Sequence, residues 1–520
     1  MLNDCGGLRS RGNDGPEGSV YTINLRSAKA TTHYTLRGEN DTYHPLYTYY
    51  GFRYLSITAD APVVFDALVG EVLTNVNWDS GCIETGSADV NRLIQNGRWG
   101  MYSNYVSVPT DCPQRDEHLG WSADTQVFST TASYFSTASK SFLSKWLRDM
   151  RDTQHENGGY TSVAPFGTFG ADAGALGWAD AGMLVPYFLY TMYGSTAPVL
   201  EMYDSMKRYM DGFLVSTNGN GPRPNYGDWL SVEPNNRELQ EYLGVCYYAW
   251  DALIMAEMAQ AIGKTADAAH YRQVYEQEKS IFCARYVKED GTLTLTQQTA
   301  DLFALKLGLL PDEKSVEAVK AALRASMDAH GYHVQTGFLG TSVLATTLSD
   351  CGMSREAYRL LMQTEAPSWL YAVKAGATTI WERWNSYSIE TGFGDVGMNS
   401  FNHYAYGVIV EWMFRCMAGI CPLDSFRYFR LAPQPDACVG YCRASFDSAF
   451  GRIVSEWTPA DNGGMEYHFI VPANTRAEVV LPDASDAALT CNGAPMQHVR
   501  IENGSAVFTA LPGEYYILVK

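Results

Sequence analysis

The 520-residue chain carries a formal net charge of −19, with 46% hydrophobic and 18% charged residues. That charge argues against nucleic acid or an anionic membrane as a partner, and no stretch of about 18 consecutive apolar residues is present to span a bilayer. The length admits two to four domains, or one large helical domain with smaller companions.

Aromatic residues make up 13%, including 34 Tyr and 12 Trp. Rings in such number furnish a core and also suit carbohydrate binding, where sugar C–H faces lie on aromatic faces. The opening residues Met1-Leu2-Asn3-Asp4-Cys5-Gly6-Gly7 lack the basic-then-apolar pattern of a signal peptide. Eleven cysteines without a regular framework favour reduced thiols, so a cytoplasmic location is expected. Neither the Cys416/Cys421 pair nor the Cys438/Cys442 pair has zinc-site spacing, and no metal or cofactor is expected.

Residues 1–85 read as β-structure: segments 21–25, 31–36 and 52–57 alternate with a two-residue period between turn residues. There is no room for a complete sandwich before the helices begin, so this part reads as the tail of a larger β-domain. From 86 to 421 the period becomes helical. Apolar positions recur at three- and four-residue spacing in twelve segments, at 88–105, 123–136, 139–154, 179–193, 197–214, 242–262, 265–287, 296–308, 312–329, 338–350, 354–364 and 401–418. Long Gly/Pro/aromatic-rich connections at 157–178 and 217–235 alternate with tight ones, and loops of that length in a compact domain are commonly functional. Six α-hairpins closed into a toroid are predicted, with the site in the funnel where the long loops meet. Residues 422–520 return to short strands, at 429–431, 444–446, 453–457, 467–471, 477–481 and 515–519, with Asp461-Asn462-Gly463-Gly464 as a hairpin turn. A small antiparallel sandwich is expected there.

The chemistry concentrates in Asp111-Cys112-Pro113-Gln114-Arg115-Asp116-Glu117-His118-Leu119-Gly120-Trp121-Ser122-Ala123-Asp124. Pro113 and Gly120 make most of this stretch a loop, with a helix starting near Asp124. Four carboxylates so close (Asp111, Asp116, Glu117, Asp124) repel one another, so at least one is expected to hold its proton above the reference value near 4. A protonated carboxyl beside an ionised one is equipment for general acid catalysis. A solvated acidic loop is the plainer reading, but Arg115 and Trp121 have no place in it. A second carboxylate, Glu382, lies between Trp381 and Trp384 beside Arg383, where the arginine can keep it ionised. His403 follows in a polar, aromatic neighbourhood that suits contact with a sugar hydroxyl. Trp178 with Asp180, and Asp228 with Trp229, stand in the long loops; each Asp reads equally as a helix N-cap or a binding residue.

These motifs resemble the inverting α-L-rhamnosidases of glycoside hydrolase family 78. The resemblance rests on residues 47–54, on the run 111–117 with Leu119-Gly120-Trp121 and Asp124, on Tyr226-Gly227-Asp228-Trp229, on Thr379-Ile380-Trp381-Glu382-Arg383-Trp384 and on Asn402-His403, in that order along the chain. It implies a mainly α fold with β appendages: an (α/α)6 barrel preceded by a partial β-domain and followed by a C-terminal antiparallel β-sandwich. It further implies Glu117 as general acid and Glu382 as general base, with Asp111, Arg115, Trp121, Asp124, Trp178, Trp229 and His403 holding rhamnose. Asp180, Asp228 and Trp381 complete the candidate binding set. The implied partner is a rhamnose-terminated oligosaccharide or glycoside. Two other readings stay open: another toroid enzyme acting on a different sugar or by β-elimination, and a sugar-binding homologue without catalysis. The acid-rich site lacks the basic cluster a lyase needs, and both glutamates are present.

Overall fold

A computed structural model describes residues 15–16, 18–38, 40–167, 170–217, 226–395, 397–461, 463–484, 489–496 and 499–520. The opening residues 1–14, part of the long loop (218–225) and Asn462 of the expected hairpin turn lie outside the described residues.

The helical part consists of α1 (Ala88–Asn104), α2 (Ser122–Phe135), α3 (Ser139–Asp152), α4 (Ala181–Tyr193), α5 (Ala197–Arg208), α6 (Arg237–Ala261), α7 (Thr265–Tyr286), α8 (Gln298–Lys306), α9 (Glu313–Ala329), α10 (Phe338–Asp350), α11 (Ser354–Met362) and α12 (Trp369–Lys374). A π-helical turn, Tyr209–Leu214, extends α5. The expected helix 401–418 starts later and is composite: a 3₁₀ turn (Ala405–Val408), one α turn (Ile409–Trp412) and a π turn (Met413–Met417). The short helix α12 escapes the periodicity because six residues are too few to show one.

Helices α2, α4, α6, α8 and α10 and the composite segment each pack against the next, and the composite segment packs back on α2, which closes an inner ring. Helices α3, α5, α7, α9 and α11 lie outside it, each against the inner helix that precedes it in sequence. Sequence texture explains the two layers. Every residue of α2 is buried; its many Ser, Thr and Ala side chains permit close neighbours, and hydroxyls such as Ser129 and Ser133 donate to the helix's own carbonyls. In contrast α3 buries one stripe, Phe142, Leu143, Trp146, Leu147 and Met150, as an outer helix must. The long connections, 105–121, 153–180, 215–236 and 375–404, all lead into N-termini of inner helices, so they gather at one end of the ring.

The C-terminal part forms two sheets. Gly451–Pro459 and Met465–Val471 make the expected hairpin, joined on one side by Cys442–Ser448 and on the other by Gly513–Val519. Gly81–Thr85, although it precedes α1, adds to this sheet by pairing with Cys442–Ser448. The second sheet holds Ile420–Asp424, Tyr428–Leu431, Arg476–Leu481, Ser505–Ala510 and Arg500–Glu502. The expectation of a wholly antiparallel arrangement needs correction, because Arg476–Leu481 runs parallel to Tyr428–Leu431. Indole and phenol groups pin the sheets to the ring: Trp457 Nε1 donates to the Met417 carbonyl at 2.8 Å and the Tyr134 hydroxyl to the Ile420 carbonyl at 2.7 Å.

The three strands expected before residue 60 are not strands. Ile23–Leu25 is a 3₁₀ turn, and 31–36 and 52–57 have no ladder partner among the described residues. Alternation supplies two faces but a strand needs neighbours to hydrogen-bond, so Leu36, Phe52, Leu55 and Ile57 stay exposed. This segment is tied down at isolated points. Tyr21 stacks on Phe393 with centroids 3.9 Å apart, the Gly51 N–H donates to the Pro113 carbonyl at 3.2 Å, and Arg53 donates to the Gly376 carbonyl at 2.8 Å.

Candidate active site

The loop ahead of α2 is closed at its neck by a reciprocal pair. The Asp111 N–H donates to the Leu119 carbonyl at 2.9 Å, and the Leu119 N–H donates to Asp111 Oδ1 at 3.1 Å. Inside it, His118 Nε2 donates to the Pro113 carbonyl at 2.7 Å. Gly120 lets the loop approach its neighbour: a Cβ there would lie 2.3 Å from the Ala164 carbonyl oxygen. On the other side, segments 380–382 and 400–403 run antiparallel through Glu382 N–H to Ser400 O (2.9 Å) and His403 N–H to Ile380 O (2.8 Å). That pairing sets Glu382 and His403 side by side.

Arg115 joins the two loops. Its Nη1 lies 3.0 Å from Glu382 Oε2, and its Nη2 lies 3.0 Å from Asp111 Oδ2 and 3.1 Å from Glu117 Oε2. Its Nε donates to the Cys112 sulfur at 3.1 Å. Glu117 also accepts from Trp121 Nε1 at 2.8 Å, on Oε1, and from Arg26 Nη2 at 2.9 Å, on Oε2. Glu382 Oε2 accepts the Ser400 N–H at 2.7 Å. His403 Nε2 lies 3.3 Å from Asp124 Oδ1 in the first turn of α2. Its Nδ1 is buried without a hydrogen-bond partner among the described residues, which leaves a donor for a ligand.

Burial works against charge on Glu382, yet the His403 and Arg115 cations and the Ser400 N–H outweigh it and hold the carboxyl below its usual value. Burial likewise disfavours the His403 cation, but Glu382, Asp124 and Asp111 raise its value to about 9. Of the four carboxylates expected to crowd one another, Asp111 is the one whose value rises. Asp116 turns away to Arg26 and Ser27, Glu117 meets only donors, and it is Asp111 that burial pushes up, against the pull of His403.

The three tryptophans from separate loops meet around one tyrosine: Tyr226 lies 4.6 Å from Trp178, 6.0 Å from Trp229 and 6.4 Å from Trp121 between ring centroids. Trp381 sits beside Glu382 but packs edge-on against Phe401 and Tyr387. Two candidate binding residues are corrected to structural ones. Asp180 is fully buried and accepts the Gly177 N–H at 2.6 Å and the Tyr209 hydroxyl at 2.7 Å. Asp228, also fully buried, accepts the Thr299 hydroxyl (2.5 Å) and the Gly337 (2.8 Å) and Gly340 (2.9 Å) N–H groups, capping α10 from a distant loop. Their carboxyl oxygens are spent on protein donors.

Comparison with known families identifies the domains. The bacterial α-L-rhamnosidase six-hairpin glycosidase domain matches residues 79–417, the C-terminal domain of the same proteins matches 419–492, and their concanavalin-like domain matches 8–74. The chain belongs to the bacterial α-L-rhamnosidase family. It is 39% identical over 97% of its length to an α-L-rhamnosidase of Streptomyces avermitilis, covering 48% of that protein, and 33% identical over 97% of its length to one of Formosa agariphila, covering 56%. Among solved structures, S. avermitilis α-L-rhamnosidase complexed with L-rhamnose superposes with a TM-score of 0.88 at 36% identity, over 99% of this chain and 49% of that one. The Aspergillus terreus α-L-rhamnosidase gives 0.89 at 29% identity, over 98% and 58%. The chain thus spans about half the length of the rhamnosidases it matches.

Sequence reasoning passed over Tyr226 and Arg26. Tyr226 stands in the Tyr-Gly-Asp-Trp motif, so its ring was available to the argument. Arg26 has no motif around it, and only the fold brings it to Glu117, 91 positions away.

Two predictions follow from this geometry. The His403 value in the folded protein, about 9, lies above the free value near 6.5. Its contribution to stability is therefore full below pH ~6.5 and is lost as pH rises through about 9. Thermal melts should show that loss in the wild type and a flatter profile over the same window in His403→Gln; parallel profiles would contradict the assignment. Asp228→Asn places an NH2 group against N–H donors and is expected to cost about 1–3 kcal/mol. Denaturant midpoints measure it, with rhamnose affinity unchanged; lost affinity at unchanged stability would return Asp228 to the binding site.

Proposed function

We propose that this chain carries the catalytic centre of an inverting α-L-rhamnosidase that removes terminal non-reducing rhamnose from glycans or plant glycosides. The observation that carries the reading is the Arg115 guanidinium, which touches both Glu117 and Glu382. Two oxygens so held lie within about 8.5 Å of one another, which admits the roughly 6.5–9.5 Å carboxyl separation of inverting pairs and also the shorter one of retaining pairs. The relatives described as α-L-rhamnosidases, and the L-rhamnose in the S. avermitilis structure, supply the sugar.

In this reading Glu117 gives its proton to the glycosidic oxygen as the bond to the anomeric carbon breaks. Glu382, ionised beside Arg115 and His403, takes a proton from the water that attacks the opposite face. Asp111, Asp124 and His403 provide polar partners for the sugar hydroxyls. Rhamnose is a 6-deoxy sugar, and the tryptophans around Tyr226 offer an apolar wall for its methyl group.

Glu117→Gln and Glu382→Gln are each expected to lower kcat on a natural rhamnoside by about 10²–10⁴ while KM changes little, because each removes a proton transfer made only in the transition state. A p-nitrophenyl rhamnoside, whose leaving group needs little protonation, should restore much of the rate to Glu117→Gln and none to Glu382→Gln. Equal behaviour of the two variants on the two substrates would refute the division of roles.

A further inference from the structure

Glu117 is reached by a side chain from outside the ring. Arg26 lies in the N-terminal segment, just after the turn Ile23–Leu25, and its guanidinium forks: Nε donates to Asp116 Oδ1 at 2.7 Å and Nη2 to Glu117 Oε2 at 2.9 Å. Ser27 completes the hold on Asp116 through its N–H (3.2 Å) and its hydroxyl. Arg26 adopts φ 58°, ψ −115°, a backbone conformation that side chains disfavour. Such strain persists where surrounding contacts fix it, and it concentrates at functional sites. Here the fixing contacts are the carboxylates of the acid loop themselves.

We propose that Arg26 is a positioning residue for acid catalysis, delivered to the ring by the N-terminal segment and acting through Glu117; this rests on the reading of Glu117 as the general acid. The two carboxyl oxygens have different surroundings. Among the described residues, Oε2 accepts from two guanidinium groups, Arg26 and Arg115, whereas Oε1 accepts the Trp121 N–H alone. A proton on Glu117 therefore sits on Oε1, and this is the oxygen that donates. When the glycosidic C–O bond breaks, its electron pair stays on the leaving oxygen, the proton passes to that oxygen from Oε1, and Glu117 is left as a carboxylate. The charge that develops is met at Oε2 by guanidinium N–H groups already in place, which favours the transition state over the ground state. Arg115 serves both glutamates. Arg26 serves the acid side alone, since its other partner is Asp116.

The benefit therefore scales with how much the leaving group needs a proton. The full chain carrying Arg26→Met, and separately Arg26→Lys, is assayed on an alkyl rhamnoside and on p-nitrophenyl rhamnoside, each in the wild-type and the Glu117→Gln background. Arg26→Met is expected to lower kcat about tenfold on the alkyl rhamnoside, the effect of one charge-assisted hydrogen bond, with KM nearly unchanged and about twofold or less on the nitrophenyl substrate. Arg26→Lys, which keeps the charge, should recover most of the loss. In the Glu117→Gln background Arg26→Met should add no further loss, because a residue acting through Glu117 has nothing left to act on. An equal loss on both substrates, no loss on either, no recovery by lysine, or a loss that persists in full beside Glu117→Gln would overturn the proposal. If Glu117→Gln by itself leaves kcat on the alkyl rhamnoside intact, the assignment of the acid fails instead, and the two failures are told apart.

Discussion

The end of the ring where the long loops gather depends on one buried guanidinium. Arg115 is 3% exposed and stands within salt-bridge distance of three carboxylates from two loops. Taking an ion out of water costs several kcal/mol unless partners replace the solvent, and removing one partner of a buried set leaves the others uncompensated. The set is larger than one pair: Asp111, Asp124, Glu117 and Glu382 face Arg115 and His403, and Arg26 reaches Glu117 from outside the ring. Four acids against three cations still leave more carboxylates than cations, and burial makes charge on the least compensated of them costly. Burial is what raises Asp111, against the pull of His403 and with Glu117 adding to it, and the surrounding carboxylates keep His403 charged well above neutral pH.

The ring explains why such a cluster can assemble. The loop carrying Glu117 leads into the first inner helix and the loop carrying Glu382 into the last inner segment, with Arg115 and Glu382 267 positions apart in sequence. Closure of the ring makes the first and last members neighbours. The glutamates therefore come from adjacent loops, joined by Arg115. Each further long loop also enters an inner helix at the same end, which brings Trp178 and Trp229 to Trp121 with Tyr226 between them.

Much of this was legible in the residues. Eleven expected helical segments correspond to α1–α11, because amphipathic and fully buried helices alike mark their period. The acid loop could be read because Pro113, Gly120 and the density of carboxylates are local properties. What was not legible depends on partners. Residues 31–36 and 52–57 alternate correctly yet form no ladder among the described residues, since pairing is decided by neighbours and not by the strand itself. Gly81–Thr85 joins a sheet whose other members lie beyond residue 440. Asp180 and Asp228 carry the signature of binding residues beside tryptophans, and only the positions of Gly177, Tyr209, Gly337 and Gly340 show that their oxygens are already occupied. Arg26 belongs to the same class, a residue whose role comes entirely from where the fold takes it.

The central claim is that Glu117 and Glu382 act as acid and base across a sugar, with a water between the base and the anomeric carbon. NMR of the sugar released from p-nitrophenyl α-L-rhamnoside, recorded before mutarotation, tests it most directly. The account predicts that β-rhamnose is released first. Release of α-rhamnose would contradict it, since Glu382 would then attack the sugar itself and Arg115 would be holding a nucleophile in place of a base.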